Sequence, residues 1–325
     1  MTDMFEAFKS GIASSFTVVE RIDLPARPEN REPVPPAFQS GSVGRWFSSL
    51  DFANGLWTHQ AEALRSFENG SNIVVATGTA SGKSLVFQAA ALRMLDCRPN
   101  AAVLVFYPLK ALVADQLVSW HQVVRAAGWP EGSVARLDGD VRPDERATLM
   151  ENARIILATP DVTHAWLMSN LAKPAHRRFL GRLALVVIDE AHVFDSVFGS
   201  NFAYLFRRLA VAAHLAERTG MREQLRVVAA SATISNPCEH LAALTGMRFE
   251  SIEEGSDGSP QQPRRILHVA SSPGQEASIA ADLHRIMLDG SDQGSFLTFV
   301  DSRQGAERLA ISEVDPNRET AGAVR

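Results

Sequence analysis

Cysteine is scarce in this sequence, and a strong net charge of either sign is lacking. Cys97 and Cys238 are the only cysteines and lack C-x-x-C spacing, which argues against a disulfide scaffold and a zinc site and fits a reducing compartment. The formal net charge is -5, so no global basic field favours nucleic acid, and any such binding must be local. A signal-like amino terminus and apolar runs of about 18 residues are also missing. We therefore expect a cytoplasmic protein with no membrane partner.

What the sequence does contain is a globular composition, with 46% hydrophobic and 21% charged residues. Short apolar runs alternate with segments of helical periodicity. The predicted strands are 73–76, 102–107, 134–137, 155–158, 183–188 and 227–230, and the predicted helices are 57–67, 85–95, 110–124, 142–151, 161–169, 200–217 and 237–245. This alternation predicts an α/β fold, a parallel sheet with helices on both faces.

The two ends of the chain depart from that pattern. Residues 1–45 lack a core pattern and carry prolines 25, 28, 33, 35 and 36, so we predict an extended segment along a surface. Residues 46–252 hold the regular pattern. Residues 253–270 are predicted to be a linker or edge segment, with a polar, turn-rich start at 253–263 that is a domain boundary or an exposed loop, and a strand at 265–270.

Residues 271–325 read as the partial start of a second domain. The predicted elements are a helix at 276–288, a strand at 296–300 and a helix at 303–311. One strand between two helices is too little to bury both faces of a sheet, so we expect an incomplete domain.

The segment 72–84, Asn-Ile-Val-Val-Ala-Thr-Gly-Thr-Ala-Ser-Gly-Lys-Ser, joins an apolar strand to a helix through small residues. In that context backbone N–H groups converge on a concavity that binds a polyphosphate. We expect Lys83 to face the β- and γ-phosphates and Ser84 to bind Mg²⁺. The other residues predicted to line the site are Thr79, Ala80, Ser81 and Gly82. An ordinary turn before a helix is the alternative interpretation.

Two adjacent carboxylates, Asp189 and Glu190, directly follow the apolar strand 183–188. The carboxyl ends of parallel strands face the ligand crevice, so this pair is expected near the phosphate loop. Asp189 then holds Mg²⁺ through water, and Glu190 orients and deprotonates the attacking water. An acidic helix cap is the alternative interpretation.

Taken together, these segments resemble the DEAD/DEAH-box helicases of superfamily 2. The similar segments are 77–84 (motif I), 106–112 (motif Ia), 158–161 (motif Ib), 189–192 (motif II), 231–233 (motif III) and 296–303 (motif IV). The resemblance implies a RecA-like ATP-binding lobe at 46–252 and the start of a second such lobe at 271–325. Segments 24–27, 77–84, 138–140, 197–200 and 205–209 look like those of the mitomycin repair factor A branch and its fungal RecQ-like relatives, which are ATP-dependent DNA helicases.

The resemblance also implies roles for single residues. Gln60 occupies the place of the glutamine that reads adenine, so ATP is the expected nucleotide, with Lys83, Asp189 and Glu190 as catalytic residues. The residues implied in coupling hydrolysis to movement are His192, Ser231 and Thr233. The residues implied near a nucleic-acid backbone are Lys110, Gly139 and Thr159.

Counterparts of motifs V and VI and of a cysteine-rich zinc domain are missing from these 325 residues. Three functions therefore stay open. The first is the ATP-binding lobe of a DNA helicase in repair or genome defence, slow alone and completed by a separate chain carrying the rest of lobe 2. The second is an ATPase-deficient nucleic-acid-binding or scaffold fragment. The third, a small-molecule kinase, is disfavoured by motif III, Gln60 and the Asp-Glu-Ala-His sequence. DNA is expected over RNA.

Overall fold

The structure is a computed structural model, and it describes residues 16–50, 55–216, 224–271, 299 and 304. The chain divides into two compact units. One unit is continuous, Arg27–Gln261, and the other consists of the chain on either side of it, Met1–Ala26 and Gln262–Arg325. No helix in these described ranges is long and apolar enough to cross a membrane.

The secondary structure follows the predicted alternation. The strands are β1 (Phe16–Leu24), β2 (Arg31–Glu32), β3 (Leu56–Trp57), β4 (Ile73–Ala76), β5 (Ala102–Phe106), β6 (Val134–Leu137), β7 (Ile155–Ala158), β8 (Leu183–Ile188), β9 (Arg226–Ala230), β10 (Glu250–Glu253) and β11 (Arg264–Ser271). The helices are α1 (Gly41–Ser49), α2 (Thr58–Glu68), α3 (Lys83–Cys97), α4 (Lys110–Ala126), α5 (Pro143–Asn152), α6 (Pro160–Val162), α7 (Pro174–Leu180), α8 (Ser196–Ala216) and α9 (Pro237–Thr245).

The continuous unit is built on a seven-stranded sheet in the order β10-β4-β9-β8-β5-β7-β6. Every strand pair in it is parallel. This confirms the predicted α/β fold with a parallel sheet. The non-sequential order means that each connection crosses over a face of the sheet, which is how helices come to cover it.

Helices cover both faces because successive side chains of each buried strand point to opposite sides. Val75 and Val103 belong to the core beneath α1, α2, α3 and α4. Val74 and Leu104, one residue away in each strand, belong to the core beneath α5, α7, α8 and α9. Continuous apolar runs such as β8 are therefore buried on both sides, as the sequence pattern predicted.

The amino-terminal segment contributes more to the core than predicted. Phe38, in a 3-10 turn that starts at Pro36, is fully buried, as is Val43 in α1. The boundary predicted between residues 45 and 46 falls inside α1. Prolines and glycines interrupt the apolar spacing here, so the sequence shows no periodic pattern. The other predicted domain ranges stay predictions.

The carboxyl-terminal part of the described chain holds two further differences. The strand predicted at 265–270 is found as β11, but its antiparallel partner β1 was not predicted. The division between the two compact units falls in the polar start of the predicted linker, after Gln261, and this start is not exposed throughout, because Asp257 and Ser259 within it are buried. The elements predicted at 276–288, 296–300 and 303–311 lie outside the described residues, apart from the single positions 299 and 304.

Candidate functional site

Apart from Gln60, which lies in α2, the predicted site segments follow the carboxyl ends of parallel strands. Across the sheet they are the phosphate loop after β4, Ser231 after β9, Asp189 after β8, Lys110 after β5, Thr159 after β7 and Gly139 after β6. The nucleotide-site residues therefore occupy three adjacent strands at one side of this edge. The residues implied in nucleic-acid contact occupy three adjacent strands at the other side.

Backbone hydrogen bonds continue beyond the strands and fix two of these segments. Asp189 donates its N–H to the carbonyl of Phe106 over 3.0 Å, and Ser231 donates its N–H to the carbonyl of Val75 over 3.0 Å. Each site residue thus begins as one more rung of the sheet, so its position is set by the buried strands.

The phosphate loop bends sharply at two left-handed residues. Ala80 has φ 60 and Gly82 has φ 68, on either side of Ser81. A side chain is strained in this conformation, whereas glycine adopts it freely. A Cβ at Gly82 would also lie 2.6 Å from Nε2 of Gln60, so glycine is required there twice over. The Ser81 hydroxyl closes the loop through a 2.6 Å hydrogen bond with the Thr77 hydroxyl.

Lys83, the first residue of α3, points its ammonium group back into the loop. Its Nζ donates to the carbonyl oxygens of Thr77 over 3.0 Å and Gly78 over 2.7 Å. Burial lowers the pKa of Lys83, while the charges of Glu190 and Asp189 oppose that shift. A cation, a helix amino terminus and a left-handed loop together suit a polyphosphate.

The Asp189–Glu190 pair concentrates negative charge beside that loop. Burial, together with the charge of Glu190, raises the pKa of Asp189 to about 7, although the Glu190 N–H donates to Asp189 Oδ1 over 2.9 Å. Glu190 has φ 50, a strained conformation that turns its side chain away from the line of the strand. A buried carboxylate that resists ionisation suits a divalent cation, so Asp189 and the half-buried Ser84 fit Mg²⁺.

Gln60 is buried, with both ends of its amide engaged. Its Oε1 accepts from the N–H of Trp57 over 3.1 Å, and its Nε2 donates to the carbonyl of Gly82 over 3.2 Å. Gln60 therefore ties the start of α2 to the end of the phosphate loop. Its implied reading of adenine stays a prediction.

His192 and Ser231, two of the residues implied in coupling, lie in segments that contact each other. The N–H of Ala232 donates to Nδ1 of His192 over 3.2 Å, and Glu190 Oε2 lies 3.4 Å from the same nitrogen. The Ser231 side chain is fully buried, and its hydroxyl has no hydrogen-bond partner. Thr233 is exposed.

The three residues implied in nucleic-acid contact differ in what they offer. Lys110 is exposed, and its Nζ forms a 3.0 Å ion pair with Asp140 Oδ1. A Cβ added at Gly139 would lie 3.0 Å from that Nζ, so Lys110 and Gly139 are neighbours. Thr159 is only 5% exposed and offers a polyanion little side-chain surface.

Sequence reasoning missed one cluster that contacts the phosphate loop. His59 contacts the Ser81 carbonyl, and Asp257 and Arg27 lie behind it. These three residues come from distant parts of the sequence, and no spacing signal connects them. The only hint was that His59 precedes Gln60.

Comparison with known proteins assigns the family. The sequence matches the DEAD/DEAH box helicase profile over residues 57–241. It is 34% identical over 213 residues to the ATP-dependent helicase HRQ1 of Saccharomyces cerevisiae, covering 65% of this chain and 19% of that protein. It is 27% identical over 317 residues to the uncharacterized ATP-dependent helicase MJ1574 of Methanocaldococcus jannaschii, covering 95% of this chain and 43% of that protein.

A solved structure shares the fold. The DUF1998 helicase MrfA bound to DNA superimposes with a TM-score of 0.82 at 23% identity, covering 96% of this chain and 43% of that one. The chain spans less than half the length of each of these three proteins. The profile match extends over more than half of the chain and includes the phosphate loop and the Asp-Glu pair. The chain therefore belongs to the DEAD/DEAH box helicases of superfamily 2.

Proposed function

We propose that this chain is the ATP-binding lobe of an ATP-dependent DNA helicase. The observation that carries the proposal is the placement of the phosphate loop and the Asp189–Glu190 pair on the same edge of the sheet, with only β9 between their strands. Hydrolysis of ATP needs a phosphate cradle, a cation site and a base within reach of one another, and this edge supplies all three.

The phosphate loop binds and orients the nucleotide. Its backbone N–H groups and the amino terminus of α3 face the β- and γ-phosphates. The Lys83 ammonium, which now donates to the carbonyls of Thr77 and Gly78, exchanges these acceptors for phosphate oxygens. Ser84 and Asp189 hold Mg²⁺, which supplies positive charge to the triphosphate. The contacts that bind the nucleotide are thus concentrated on the phosphate that will be transferred.

Glu190 acts as the general base. Its side chain is 41% exposed, so water reaches the carboxylate. The carboxylate orients the attacking water and accepts its proton. Asp189 stays next to it as the ligand for the cation, so the two neighbouring carboxylates have separate roles.

Lys110 and the backbone around Gly139 contribute to a nucleic-acid surface at the other side of the sheet edge. The fold is shared with a helicase whose solved structure contains DNA, which supports DNA as the partner. Participation in DNA repair or genome defence is proposed from the resemblance to the mitomycin repair factor A branch. Thr159 contributes through its backbone, because its side chain is buried.

Replacing Glu190 with glutamine tests the assignment of the base. Glu190→Gln keeps the size and removes the proton acceptor, so ATP affinity should stay within about threefold while turnover falls about 100-fold or more. Nucleotide binding and phosphate release are measured on the same preparation, with exposed Glu145→Gln as the control. Turnover that survives in Glu190→Gln would remove Glu190 from this role.

A second candidate is an ATPase-deficient fragment that binds nucleic acid or serves as a scaffold. The resemblance implies that motifs V and VI supply arginines that act on the γ-phosphate, and these 325 residues hold no counterpart of those motifs. An arginine of that kind is worth about 10³ to 10⁵ in rate in related phosphoryl transfer. We expect the chain alone to bind ATP and hydrolyse it slowly. A chain carrying the rest of lobe 2 should raise the rate and make it respond to DNA. Binding without any turnover, even with that chain, would favour the second candidate.

A further inference from the structure

His59 is a fully buried histidine that contacts the phosphate loop. Its Nε2 lies 2.8 Å from the carbonyl oxygen of Ser81. A carbonyl only accepts hydrogen bonds, so Nε2 carries the proton and donates it. Ser81 lies between the two left-handed residues, Ala80 and Gly82. The imidazole therefore holds the loop at its most strained point.

The direction of this contact matters for phosphate binding. In a trans peptide unit the C=O and N–H bonds point in opposite directions. The carbonyl of Ser81 and the N–H of Gly82 belong to the same unit. Holding the Ser81 carbonyl toward His59 thus directs the Gly82 N–H away from the imidazole. A flipped unit would present a carbonyl oxygen in place of that donor, and a carbonyl repels a phosphate.

The second ring nitrogen faces a buried ion pair. Asp257 Oδ1 lies 3.3 Å from Nδ1 of His59, and Arg27 lies 2.6 Å from Asp257 Oδ2. The N–H of Gly258 donates to the same Nδ1 over 3.4 Å, and the N–H of Ser259 donates to Asp257 Oδ1 over 2.9 Å. Burial lowers the pKa of His59, which favours the neutral ring with its proton on Nε2. Hydrogen bonds from Ser259 and Arg27 hold the pKa of Asp257 below its ordinary value, although burial alone would raise it.

Two segments, residues 27–31 and 256–261, form this backing and are here called the strap. Arg27 and Gln261 exchange two backbone hydrogen bonds of 2.9 Å. The N–H of Asn30 donates to the carbonyl of Gly258 over 2.9 Å, and Thr58 Oγ1, in the first turn of α2, donates to the carbonyl of Ser256 over 2.8 Å.

Gly258 is the point of closest approach within the strap. A Cβ there would lie 2.3 Å from the carbonyl oxygen of Asn30 and 2.3 Å from Thr58 Oγ1. Only glycine lets the two segments and α2 meet at this distance. The strap is thus a tightly packed support and not a loose connection.

We infer that His59 is a positioning residue for the phosphate loop, held at Nδ1 by the Gly258 N–H of the strap, which keeps the Gly82 N–H aimed at bound phosphate. The inference rests on the proposed nucleotide site. It goes further by making phosphate affinity depend on the strap, which lies outside the segments that resemble helicase motifs. His59 touches neither the nucleotide nor the cation in this role and acts through the backbone of Ser81.

The test compares His59→Leu with His59→Gln in the full chain. Leucine fills the space without a donor, whereas the glutamine side-chain amide restores an N–H at similar reach. His59→Leu should weaken ADP and ATP binding about 10- to 100-fold. This is the range expected for losing the hydrogen bond from the Gly82 N–H to a charged phosphate. His59→Gln should recover affinity to within about threefold of the unaltered chain.

Phosphate dependence separates positioning from a general loss of structure. ADP and AMP are compared as competitors of a fluorescent ATP analogue. His59→Leu should lower the affinity for ADP strongly and the affinity for AMP only slightly, because the loop is expected to contact the phosphates beyond the first. His176→Leu is the matched control. His176 is equally buried, stacks on Trp166 at 4.3 Å, and neither ring nitrogen has a hydrogen-bond partner. It should leave nucleotide affinity unchanged.

The outcomes distinguish this inference from the proposed function. If the unaltered chain binds no ATP, the proposed function fails. If Lys83→Ala loses binding while His59→Leu binds ADP like the unaltered chain, the site stands and the inference is overturned. An equal loss for ADP and AMP would also overturn it.

A second variant covers the case in which His59→Leu does not fold. Asp257→Asn keeps the shape and weakens the contacts with Arg27 and the Ser259 N–H that hold the Gly258 segment against His59. It should weaken ADP binding about three- to tenfold, and the double variant with His59→Gln should lose less than the product of the two single effects. Normal ADP affinity in Asp257→Asn would show that phosphate affinity does not depend on the strap.

Discussion

The N–H of Ala232 donates to Nδ1 of His192 over 3.2 Å, and this contact joins the loop after β9 to the loop after β8. Because Nδ1 accepts, the neutral ring carries its proton on Nε2. Glu190 Oε2 lies 3.4 Å from the same Nδ1. A proton on Nδ1 would allow a hydrogen bond to Glu190 and would break the one from Ala232. His192 can therefore bond to Glu190 or to the segment after β9, and not to both through this nitrogen.

Replacing His192 should separate nucleotide binding from the response to nucleic acid. His192→Ala removes the acceptor for the Ala232 N–H and leaves the phosphate loop unaltered. ATP affinity should therefore change less than about threefold. With a chain carrying the rest of lobe 2 present, stimulation of ATP hydrolysis by single-stranded DNA should fall about five- to tenfold, the equivalent of one hydrogen bond. His192→Asn, which offers an amide oxygen near the position of Nδ1, should restore part of the response. Full stimulation in His192→Ala would show that the contact carries no coupling.

Removing the ammonium group of Lys83 should weaken nucleotide binding. Lys83→Ala loses the charge that faces the phosphates and the two hydrogen bonds to loop carbonyls. A charge-assisted hydrogen bond is worth about 1.5–3 kcal/mol, so the dissociation constant for ATP should rise about 10- to 100-fold by calorimetry. Exposed Lys173→Ala changes the net charge equally and should leave affinity as it was. Equal affinity in both variants would place the nucleotide elsewhere.

Asp140 should limit nucleic-acid affinity, because its carboxylate accepts a hydrogen bond from the ammonium group of Lys110 in the free chain. Asp140→Asn frees that charge and should tighten binding of single-stranded DNA about two- to fivefold, in keeping with the small energy of exposed ion pairs. Lys110→Ala should weaken binding and lower the slope of log affinity against log salt by about 0.7 on single strands. Asp115→Asn, an equal charge change on α4, is the control. An unchanged slope in Lys110→Ala would exclude a phosphate contact at this lysine.

The stability of the metal-free chain should depend on pH through Asp189. An acid whose folded-state pKa is raised contributes stability that is present below its unfolded pKa and lost as pH rises through the folded one. For Asp189 these are 3.8 and about 7. Asp189→Asn should therefore gain stability over the unaltered chain between about pH 4 and about pH 7, by up to about 4 kcal/mol, and level off above. Urea unfolding in the presence of a chelator at several pH values measures the difference. A difference that is constant with pH would contradict the assigned shift.

The central strands and the residues that follow them were predictable because they are defined locally. An uninterrupted apolar run such as Val186–Ile188 indicates a strand buried on both faces, and a polar residue directly after it lies at the ligand edge. Asp189 was found in this way, and so was Lys83 from its small-residue loop. No long-range contact needs to be known for either assignment.

The features that the sequence did not show depend on distant partners. The apolar alternation of β1 is interrupted by a register shift between Val18 and Glu20, and the strand is defined by its pairing with distant β11. Asp257 lies in a stretch that looks like a solvent-exposed turn, and only the folded chain brings it to His59. Thr159 follows a strand as expected, but the packing of the next turn buries its side chain, which spacing alone does not indicate.

β10 ends the parallel sheet beside β4, and no strand in the described part of the chain pairs with its other side. An unpaired strand edge can recruit a strand from another molecule and so begin aggregation. This edge is only four residues long, and Glu250 and Glu253 are exposed on either side of buried Ile252. Two copies that met edge to edge would bring like charges together, so the acidic ends of β10 protect the sheet from growing into a second molecule.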